Sequence, residues 1–241
     1  MPSELVQRFA LRARVVHVER VGSSARLIRL AAPELEGLAW TPGQHVRVLA
    51  TGPLNALTDL LHLTLRSYSI WSHEGPELEL CVYEHEHEGP GALWAQSVQP
   101  GDEVSFRRPE GRLVLDPDAP YHLFVGEETA TVPFGAMLRA LPEGAEAYAV
   151  LEARDEKARL PLPDRARLTW VDRGEAAAAG SAALVSALTG ARLPDSPGVA
   201  YVAGEARTCQ AVRTHLVRDR GWPRRSVIVK PFWTPGKRGM E

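Results

Sequence analysis

The sequence predicts two domains, an antiparallel β-barrel over residues 1–117 followed by a doubly wound parallel α/β sheet over residues 118–241. Three observations support this fold class. Short strand-like segments separated by turns fill the first half, with almost no helical pattern. Strand and helix patterns alternate through the second half, which is typical of a parallel sheet. Between them, the Pro- and Asp-rich run at residues 116–120 indicates a linker.

The first half opens with the pattern of a β-hairpin. Apolar and charged residues alternate over residues 9–30, interrupted by a Gly-Ser turn at residues 21–24. A turn and a strand follow at residues 41–49, and residues 51–62 are predicted to form a loop or a short helix. The remaining strands are expected around Arg66–Tyr68, over residues 78–83, and after the turn at residues 100–104, with a short helix ending at residues 97–101.

The second half repeats a strand–helix unit. Its predicted strands cover residues 121–126, 145–151, 168–171, 200–204 and 226–229, and its predicted helices cover residues 131–140, 176–188 and 208–220. Open parallel sheets of this kind bind ligands at the carboxyl ends of their strands. The loops at residues 125–130 and 202–206 leave strands at such ends, so we expect them to line one nucleotide-binding cleft.

Composition excludes several classes of protein. The 241 residues carry a formal net charge of −2 and are 44% hydrophobic, which argues against a general nucleic-acid binder and allows a sizeable core. No apolar run is long enough for a membrane span, and the first five residues do not resemble a signal peptide. With two cysteines far apart in sequence, no disulfide framework is expected. We expect a cytoplasmic, monomeric protein without stable membrane association.

The stretch Leu65–Ile70 is the first candidate site. Residues i and i+2 of a strand share a face, so Arg66 and Tyr68 should point the same way, with the hydroxyl of Ser69 nearby. A guanidinium, an aromatic ring and a small donor suit a planar cofactor that carries phosphate. The same pattern also fits a half-buried strand with an arginine that reaches solvent.

A second candidate is the turn that precedes the short helix, Gly89-Pro90-Gly91-Ala92. A helix N-terminus preceded by glycine offers free amides to an anion, although an ordinary helix cap gives the same pattern. The tail from Lys230 to Arg238 combines cations with aromatic residues, and Trp233 could cover a flat cofactor. His85 and His87 would share a strand face, but a metal site there lacks a third ligand at a recognisable spacing.

Taken in order, these motifs resemble the siderophore-interacting protein family, which comprises flavin-dependent ferric-siderophore reductases of the ferredoxin-reductase-like superfamily. The resemblance extends over residues 10–238. Its motifs are Arg66-Ser67-Tyr68-Ser69, His85 with Gly89-Pro90-Gly91-Ala92-Leu93-Trp94-Ala95, Pro100-Gly101-Asp102-Glu103-Val104, Gly126-Glu127-Glu128-Thr129-Ala130, Trp170-Val171-Asp172-Arg173-Gly174, and Ala203-Gly204-Glu205-Ala206.

The resemblance implies that the barrel holds FAD, that the α/β domain receives NADPH or NADH, and that a ferric siderophore is the substrate. Arg173 is the candidate for the extra phosphate of NADPH, with Arg154 as a second choice. The predicted cofactor-binding residues are Arg66, Ser67, Tyr68, Ser69, His85, Gly89, Pro90, Gly91, Ala92, Glu128, Thr129, Arg173, Gly204, Glu205 and Trp233. The predicted substrate-binding residues are Lys230, Lys237 and Arg238, and neither a catalytic side chain nor a resident metal is expected.

The sequence departs from the family pattern in three places. Ser69 stands where the family often has Thr, Trp71 where it often has Arg, and Gly91-Ala92 where it usually has Ala-Ser. The expected reaction is hydride transfer from NAD(P)H to FAD followed by one-electron transfers to the ferric siderophore, with release of ferrous iron. The alternatives are an NAD(P)H–flavin oxidoreductase with another acceptor, and a flavin- or siderophore-binding protein that does not catalyse.

Overall fold

The computed structural model describes residues 10–50, 64–84 and 90–236. Within this range the chain divides into two units, the first ending at Arg112 and the second beginning at Leu113. The predicted boundary after residue 117 lies five residues further along the chain.

The first unit is a closed antiparallel barrel of six strands. Its strands are β1 (Ala10–Val21), β2 (Ala25–Ala31), β3 (His45–Ala50), β4 (Thr64–Glu74), β5 (Glu77–Tyr83) and β6 (Glu103–Arg107). They follow one another around the barrel in the order β1-β2-β5-β4-β3-β6. This arrangement confirms the predicted barrel and the hairpin at its start.

Alternating burial explains why these segments form strands. In β3 every second side chain is buried, and the alternating residues of β2 and β5 likewise point into the barrel. One helix, α1 (Pro90–Ser97), packs on the barrel through Trp94 and Ala95. The barrel core therefore includes helix residues, and it also contains Tyr68 of β4.

The second unit is a five-stranded parallel sheet. Its strands are β7 (His122–Glu127), β8 (Ala147–Ala153), β9 (Arg167–Asp172), β10 (Val199–Glu205) and β11 (Val227–Trp233). Their order across the sheet is β11-β10-β7-β8-β9. The chain builds outward from β7 on one side and then crosses to β10 on the other, so the strand order reverses between β7 and β10.

Helices cover both faces of this sheet, as the predicted doubly wound fold requires. The helices are α2 (Thr131–Arg139), α3 (Ala182–Gly190) and α4 (Ala206–Thr214), and α4 continues as a π-helical turn over His215–Asp219. One apolar core joins the sheet to α3 and α4, and a second core joins it to α2 through Phe134, Met137 and Leu138. Every side chain of β7, β8 and β10 is buried, which is expected of central parallel strands.

One predicted helix begins later than expected. The alanine run at residues 176–179 favours a helix from residue 176, but α3 begins at Ala182. Gly180 adopts a positive φ of 70°, which interrupts a right-handed helix, and the Ser181 side chain then accepts a hydrogen bond from the amide of Leu184 as an N-cap. Local conformation at these two residues therefore overrides the helix propensity of alanine.

Candidate functional site

In the barrel unit, β4 and the start of α1 form a candidate site. The Tyr68 hydroxyl donates a hydrogen bond to the carbonyl oxygen of Gly91 at 2.9 Å. The Tyr68 ring packs on Trp94 of the same helix, with ring centroids 5.0 Å apart. Arg66 lies on the same face of β4, and its Cγ is also close to Gly91. The strand period therefore brings together the predicted residues Arg66, Tyr68 and Gly91.

Gly91 matters because it has no side chain. A Cβ atom there would lie 2.9 Å from the Tyr68 hydroxyl and 3.3 Å from Arg66 Cγ. The first distance is too short for a carbon atom, so glycine allows the first turn of α1 to approach β4 this closely. Among the described residues, no acidic side chain stands in that first turn to offset the positive end of the helix.

The charge of this region comes from Arg66. Its Nη1 donates to the carbonyl of Leu65 at 3.0 Å, and the described part of the chain offers it no carboxylate within ion-pair distance. Burial raises the pKa of Tyr68 well above its ordinary value, and the nearby Arg66 charge opposes that shift only in part. Tyr68 is therefore a neutral hydrogen-bond donor at physiological pH. The neighbouring Arg66 guanidinium can bind an anionic ligand.

Ser67 and Ser69 alternate with Arg66 and Tyr68, so they point to the opposite face of β4. The cofactor-binding roles of Ser67 and Ser69 stay predictions. The register pairs Ser69 with His45 of β3, whose ring lies 3.7 Å from a carboxylate oxygen of Glu110. His45 had not been predicted from the sequence, because its proximity to Ser69 depends on strand pairing rather than on a local motif.

The predicted turn before α1 is only partly described. His85 and Gly89 lie outside the described residues, as do His87 and the tail residues Lys237 and Arg238. For Pro90 only the backbone is described, as the first residue of α1. Ala92 lies in the first turn of that helix, next to Gly91.

In the α/β unit, the candidate site lies at the carboxyl ends of β7 and β10, where the strand order reverses. β7 ends at Glu127 and β10 ends at Glu205, and both carboxylates are buried. The sequence predictions included Glu205 but missed Glu127, although it stands in the predicted loop. The signal in the sequence is an acidic residue directly after an apolar, strand-like run and before a predicted helix.

Glu127 accepts hydrogen bonds from three donors. These are the amide and hydroxyl of Thr129 and the indole Nε1 of Trp233, with the amide and the indole each at 3.0 Å. Burial, followed by the neighbouring charge of Glu128, raises the pKa of Glu127 to about 7, and the donated hydrogen bonds lower it only in part. The carboxylate is therefore poised to change charge near neutral pH.

Glu205 carries out a structural task in addition to any ligand contact. Burial alone would raise its pKa, but hydrogen bonds led by the backbone amides of Thr208, Arg207 and Gly180 lower it overall. Its carboxylate caps α4 by accepting from the Thr208 amide at 2.9 Å and also accepts from the Gly180 amide at 3.0 Å. Both of these contacts use Oε2, and the Thr234 hydroxyl donates to Oε1 at 3.3 Å. The predicted cofactor-binding role of Glu205 stays a prediction.

Arg173 lies in a buried ionic cluster. Both terminal nitrogens of its guanidinium donate to the Glu128 carboxylate, and Nη1 lies 3.9 Å from Glu152. The side chains are 14%, 11% and 0% exposed for Arg173, Glu128 and Glu152 respectively, so this cluster is largely withdrawn from solvent. Burial opposes the charge on Arg173, but the two carboxylates raise its pKa overall.

The cluster changes the interpretation of two predicted residues. Arg173 and Glu128 bind one another, so neither side chain is free for a nucleotide in this conformation. Arg154 follows β8 on the same side of the sheet and forms a more exposed ion pair with Glu175, at 2.7 Å and with side chains 47% and 86% exposed. Of the two arginines, Arg154 is the more accessible to a phosphate group.

Lys230 lies in β11, where it is paired in register with Ala203 of β10. It is partly exposed, and no carboxylate of the described residues lies within ion-pair distance of it.

A separate groove of about 360 Å³ lies beside β9, lined by Tyr148, Arg167, Leu168 and Arg192 among others. It lies toward the amino-terminal half of β8 rather than at the carboxyl ends of the strands, so we do not connect it with the candidate site.

Two family models match the chain consecutively. The model of the siderophore-interacting FAD-binding domain matches residues 14–113, and the model of the siderophore-interacting protein matches residues 119–236. The first match contains the Arg66–Tyr68–Gly91 contacts, and the second contains the carboxyl edge of the parallel sheet. The chain belongs to the siderophore-interacting protein family.

Individual relatives agree with this assignment. The chain is 28% identical over 180 residues to the ferric vibriobactin reductase ViuB of Vibrio cholerae, which covers 72% of this chain and 64% of ViuB. It is 29% identical over 241 residues to the mycobactin import ATP-binding/permease protein IrtA of Mycolicibacterium smegmatis, covering 93% of this chain but only 26% of IrtA. The chain therefore spans less than two thirds of the length of these curated relatives.

A solved structure of the same family supports the fold. The crystal structure of the siderophore-interacting protein SipS from Aeromonas hydrophila matches with a TM-score of 0.80 and 26% identity, over 95% of this chain and 93% of SipS. No helix in the described part of this family member is both long and apolar enough to cross a membrane. Within the same residues, no group of three or more His, Cys, Asp or Glu side chains is arranged to hold a metal ion.

Proposed function

We propose that this protein is a flavin-dependent reductase that passes electrons from NAD(P)H through FAD to a ferric siderophore and releases ferrous iron. The observation that carries the proposal is the match of the FAD-binding family model to the unit in which Arg66, Tyr68 and Gly91 meet. A relative named ferric vibriobactin reductase supports the choice of acceptor. The strand reversal in the α/β unit supports the choice of a nucleotide as electron donor.

The barrel residues suit FAD. Tyr68 offers an aromatic ring, Arg66 offers a cation without a carboxylate partner among the described residues, and Gly91 lets the start of α1 lie close to both side chains. Bound FAD would supply the conversion between a two-electron hydride and one-electron transfer to iron. The task of the side chains is to bind and orient this group, and they need not act as acids, bases or nucleophiles.

For the electron donor we propose the carboxyl edge of β7 and β10, with Thr129 and Gly204 beside the nucleotide. We now assign the extra phosphate of NADPH to Arg154 rather than Arg173, because Arg173 is neutralised by Glu128 and Glu152. Arg154→Ala should then raise the KM for NADPH several-fold while leaving the KM for NADH nearly unchanged. An equal effect on both donors would reject Arg154 as the phosphate-binding residue.

For the substrate, Lys230 remains the proposed contact with an anionic ferric siderophore. Its partial exposure and its lack of a carboxylate partner among the described residues support this role. Lys230→Ala should therefore raise the KM for the ferric siderophore and leave the KM for NAD(P)H unchanged. The roles of Lys237 and Arg238, the cytoplasmic location and the monomeric state also stay predictions.

The deciding experiment follows the visible spectrum of the purified full chain, supplemented with FAD, under anaerobic conditions. Addition of NADPH or NADH should bleach the flavin absorbance, and addition of a ferric siderophore with a ferrous chelator should restore it while the chelator complex forms. A matched Tyr68→Ala variant should retain less FAD. A siderophore that binds but stays ferric would identify a binding protein, and a chain that takes up no FAD would reject the proposal.

A further inference from the structure

The indole of Trp233 and the carboxylate of Glu127 are joined across the sheet edge. Trp233 ends β11 and Glu127 ends β7, and these two strands are not neighbours because β10 lies between them. Their hydrogen bond, Nε1 to Oε1 at 3.0 Å, joins residues 106 positions apart in sequence. Since adjacent strands lie about 4.8 Å apart, the Trp233 side chain must cross the end of β10 to reach Glu127.

The end of β10 is shaped to allow this crossing. Gly204 stands there with a φ of +114°, and a Cβ atom on it would lie 2.6 Å from Glu127 Oε1. A side chain at Gly204 would therefore collide with the carboxylate that binds Trp233. On the other side, Thr129 donates two hydrogen bonds to the same carboxylate and fixes its orientation.

We propose that Glu127 is a positioning residue that holds the Trp233 indole across the carboxyl ends of β7 and β10 and releases it when its carboxylate is protonated. The inference rests on the proposed function insofar as this edge is where NAD(P)H would bind. Three donated hydrogen bonds favour the anionic form of Glu127, because a carboxylate has only acceptors. A proton on Glu127 would face the hydroxyl, amide and indole donors and would weaken the contact with Trp233.

The surroundings of Glu127 set the pH at which its carboxylate is protonated. Burial is the largest influence and raises its pKa to about 7, followed by the charge of Glu128. Other titratable groups lie on the elements around this edge. They are Glu152 on β8, Arg173 after β9, Glu205 on β10 and Cys209 on α4. Arg173 favours the carboxylate, whereas the neighbouring carboxylates oppose it, so the Trp233 contact should change near neutral pH.

The contact can be observed directly by NMR of the indole N–H groups in the full chain. The sequence contains six tryptophans, so a ¹⁵N-labelled sample should give six indole signals, and the signal lost in Trp233→Phe identifies Trp233. Between pH 5.5 and 8.5 this signal should move more than the other five, with a midpoint near pH 7. In Glu127→Gln it should lie near the low-pH position and stop titrating.

A second variant tests whether the Trp233 signal still titrates when the Glu127 carboxylate is kept but one of its hydrogen-bond donors is removed. Thr129→Val removes one hydrogen-bond donor but leaves the carboxylate, so the Trp233 signal should still titrate, with a higher midpoint because the anion has lost support. The five other indole signals report whether each variant is folded. A Trp233 signal that does not move with pH, or that titrates in the same way in Glu127→Gln, overturns the proposal.

Steady-state kinetics test whether the contact governs donor binding. The held indole lies where the donor is expected, so the KM for NAD(P)H should fall about tenfold as pH drops through the same midpoint, the scale of one hydrogen bond to a charged group. Glu127→Gln should show the low KM at every pH. If the indole titrates but KM does not follow, the positioning role is wrong. Absence of turnover with either donor would instead reject the proposed function, and it would not affect the pH titration of the Trp233 indole observed by NMR.

Discussion

The candidate sites of the two units are built on different physical principles. At β4 and α1 the contacts depend on shape, since a missing side chain at Gly91 lets the helix meet the ring and hydroxyl of Tyr68. At the edge of the parallel sheet the contacts depend on charge, since Glu127, Glu128 and Glu152 lie buried near one guanidinium, that of Arg173. The stability of the β4–α1 contacts should depend on side-chain volume. The stability of the contacts at the sheet edge should depend on protonation and on the loss of a charged side chain.

The largest expected effect is the loss of Arg173. Arg173→Ala leaves Glu128 and Glu152 buried without their cation, which typically costs about 3–5 kcal/mol. The free energy of unfolding, measured by urea denaturation, should fall accordingly. Each unit also contains one buried cysteine, Cys81 in the barrel and Cys209 in α4, and we expect faster thiol labelling mainly at Cys209.

The matched control is Arg154→Ala. This residue also pairs with a glutamate at the same side of the sheet, but the pair is exposed, so its loss should cost less than about 1 kcal/mol. Equal destabilisation by the two substitutions would contradict the view that burial is the reason why the Arg173 cluster contributes strongly to the free energy of unfolding.

The next effect is a pH dependence of stability at Glu127. Its pKa is raised from 4.5 to about 7, so the folded protein holds this proton more tightly than the unfolded chain. The stabilisation is complete below about pH 4.5 and is lost as pH rises through about 7, with a magnitude on the order of 3 kcal/mol. Glu127→Gln should remove this component when unfolding free energies are compared with the wild type across that range.

Glu205 provides a control of opposite sign. Its pKa is lowered by the backbone amides that it accepts from, so its contribution is present above its unfolded pKa and is lost as pH falls. Glutamine resembles a protonated carboxyl, so both variants should approach wild-type behaviour in acid. As pH rises, Glu205→Gln should become less stable than the wild type, whereas Glu127→Gln should become more stable than the wild type up to about pH 7 and then change no further. Identical pH profiles for the two variants would show that burial does not distinguish them.

The two candidate sites also differ in how far the sequence predicts them. The common face of Arg66 and Tyr68 follows from the strand period, a local property, and the structure confirms it. The pairs Glu128–Arg173 and Glu127–Trp233 join residues 45 and 106 positions apart, and no local pattern specifies such contacts. Arg173 therefore looked like a free cation in the sequence although its partner stands in another predicted motif.

Gly91→Val is the volume test for the barrel half. Its first added carbon would lie 2.9 Å from the Tyr68 hydroxyl, so either α1 or Tyr68 must move, at a cost of about 1–3 kcal/mol. Thermal unfolding measures that cost, and FAD retained after gel filtration measures the effect on the proposed cofactor site. Ala92→Val places the same side chain one position along α1 and serves as the control, with a smaller expected effect on both.

The smallest effect expected is that of Tyr68→Phe, which separates the hydroxyl of Tyr68 from its ring. The substitution removes one hydrogen bond and leaves the Gly91 carbonyl without that donor, at a cost of about 0.5–1.5 kcal/mol. The ring contact with Trp94, at 5.0 Å, should persist. If Tyr68 binds the flavin by stacking, Tyr68→Phe should keep most of the FAD affinity, whereas Tyr68→Ala should lose about 1–3 kcal/mol. Equal losses in the two variants, measured by FAD fluorescence titration, would instead assign the affinity to the hydroxyl, and charge and hydrogen bonding would then govern the barrel half as they govern the sheet edge.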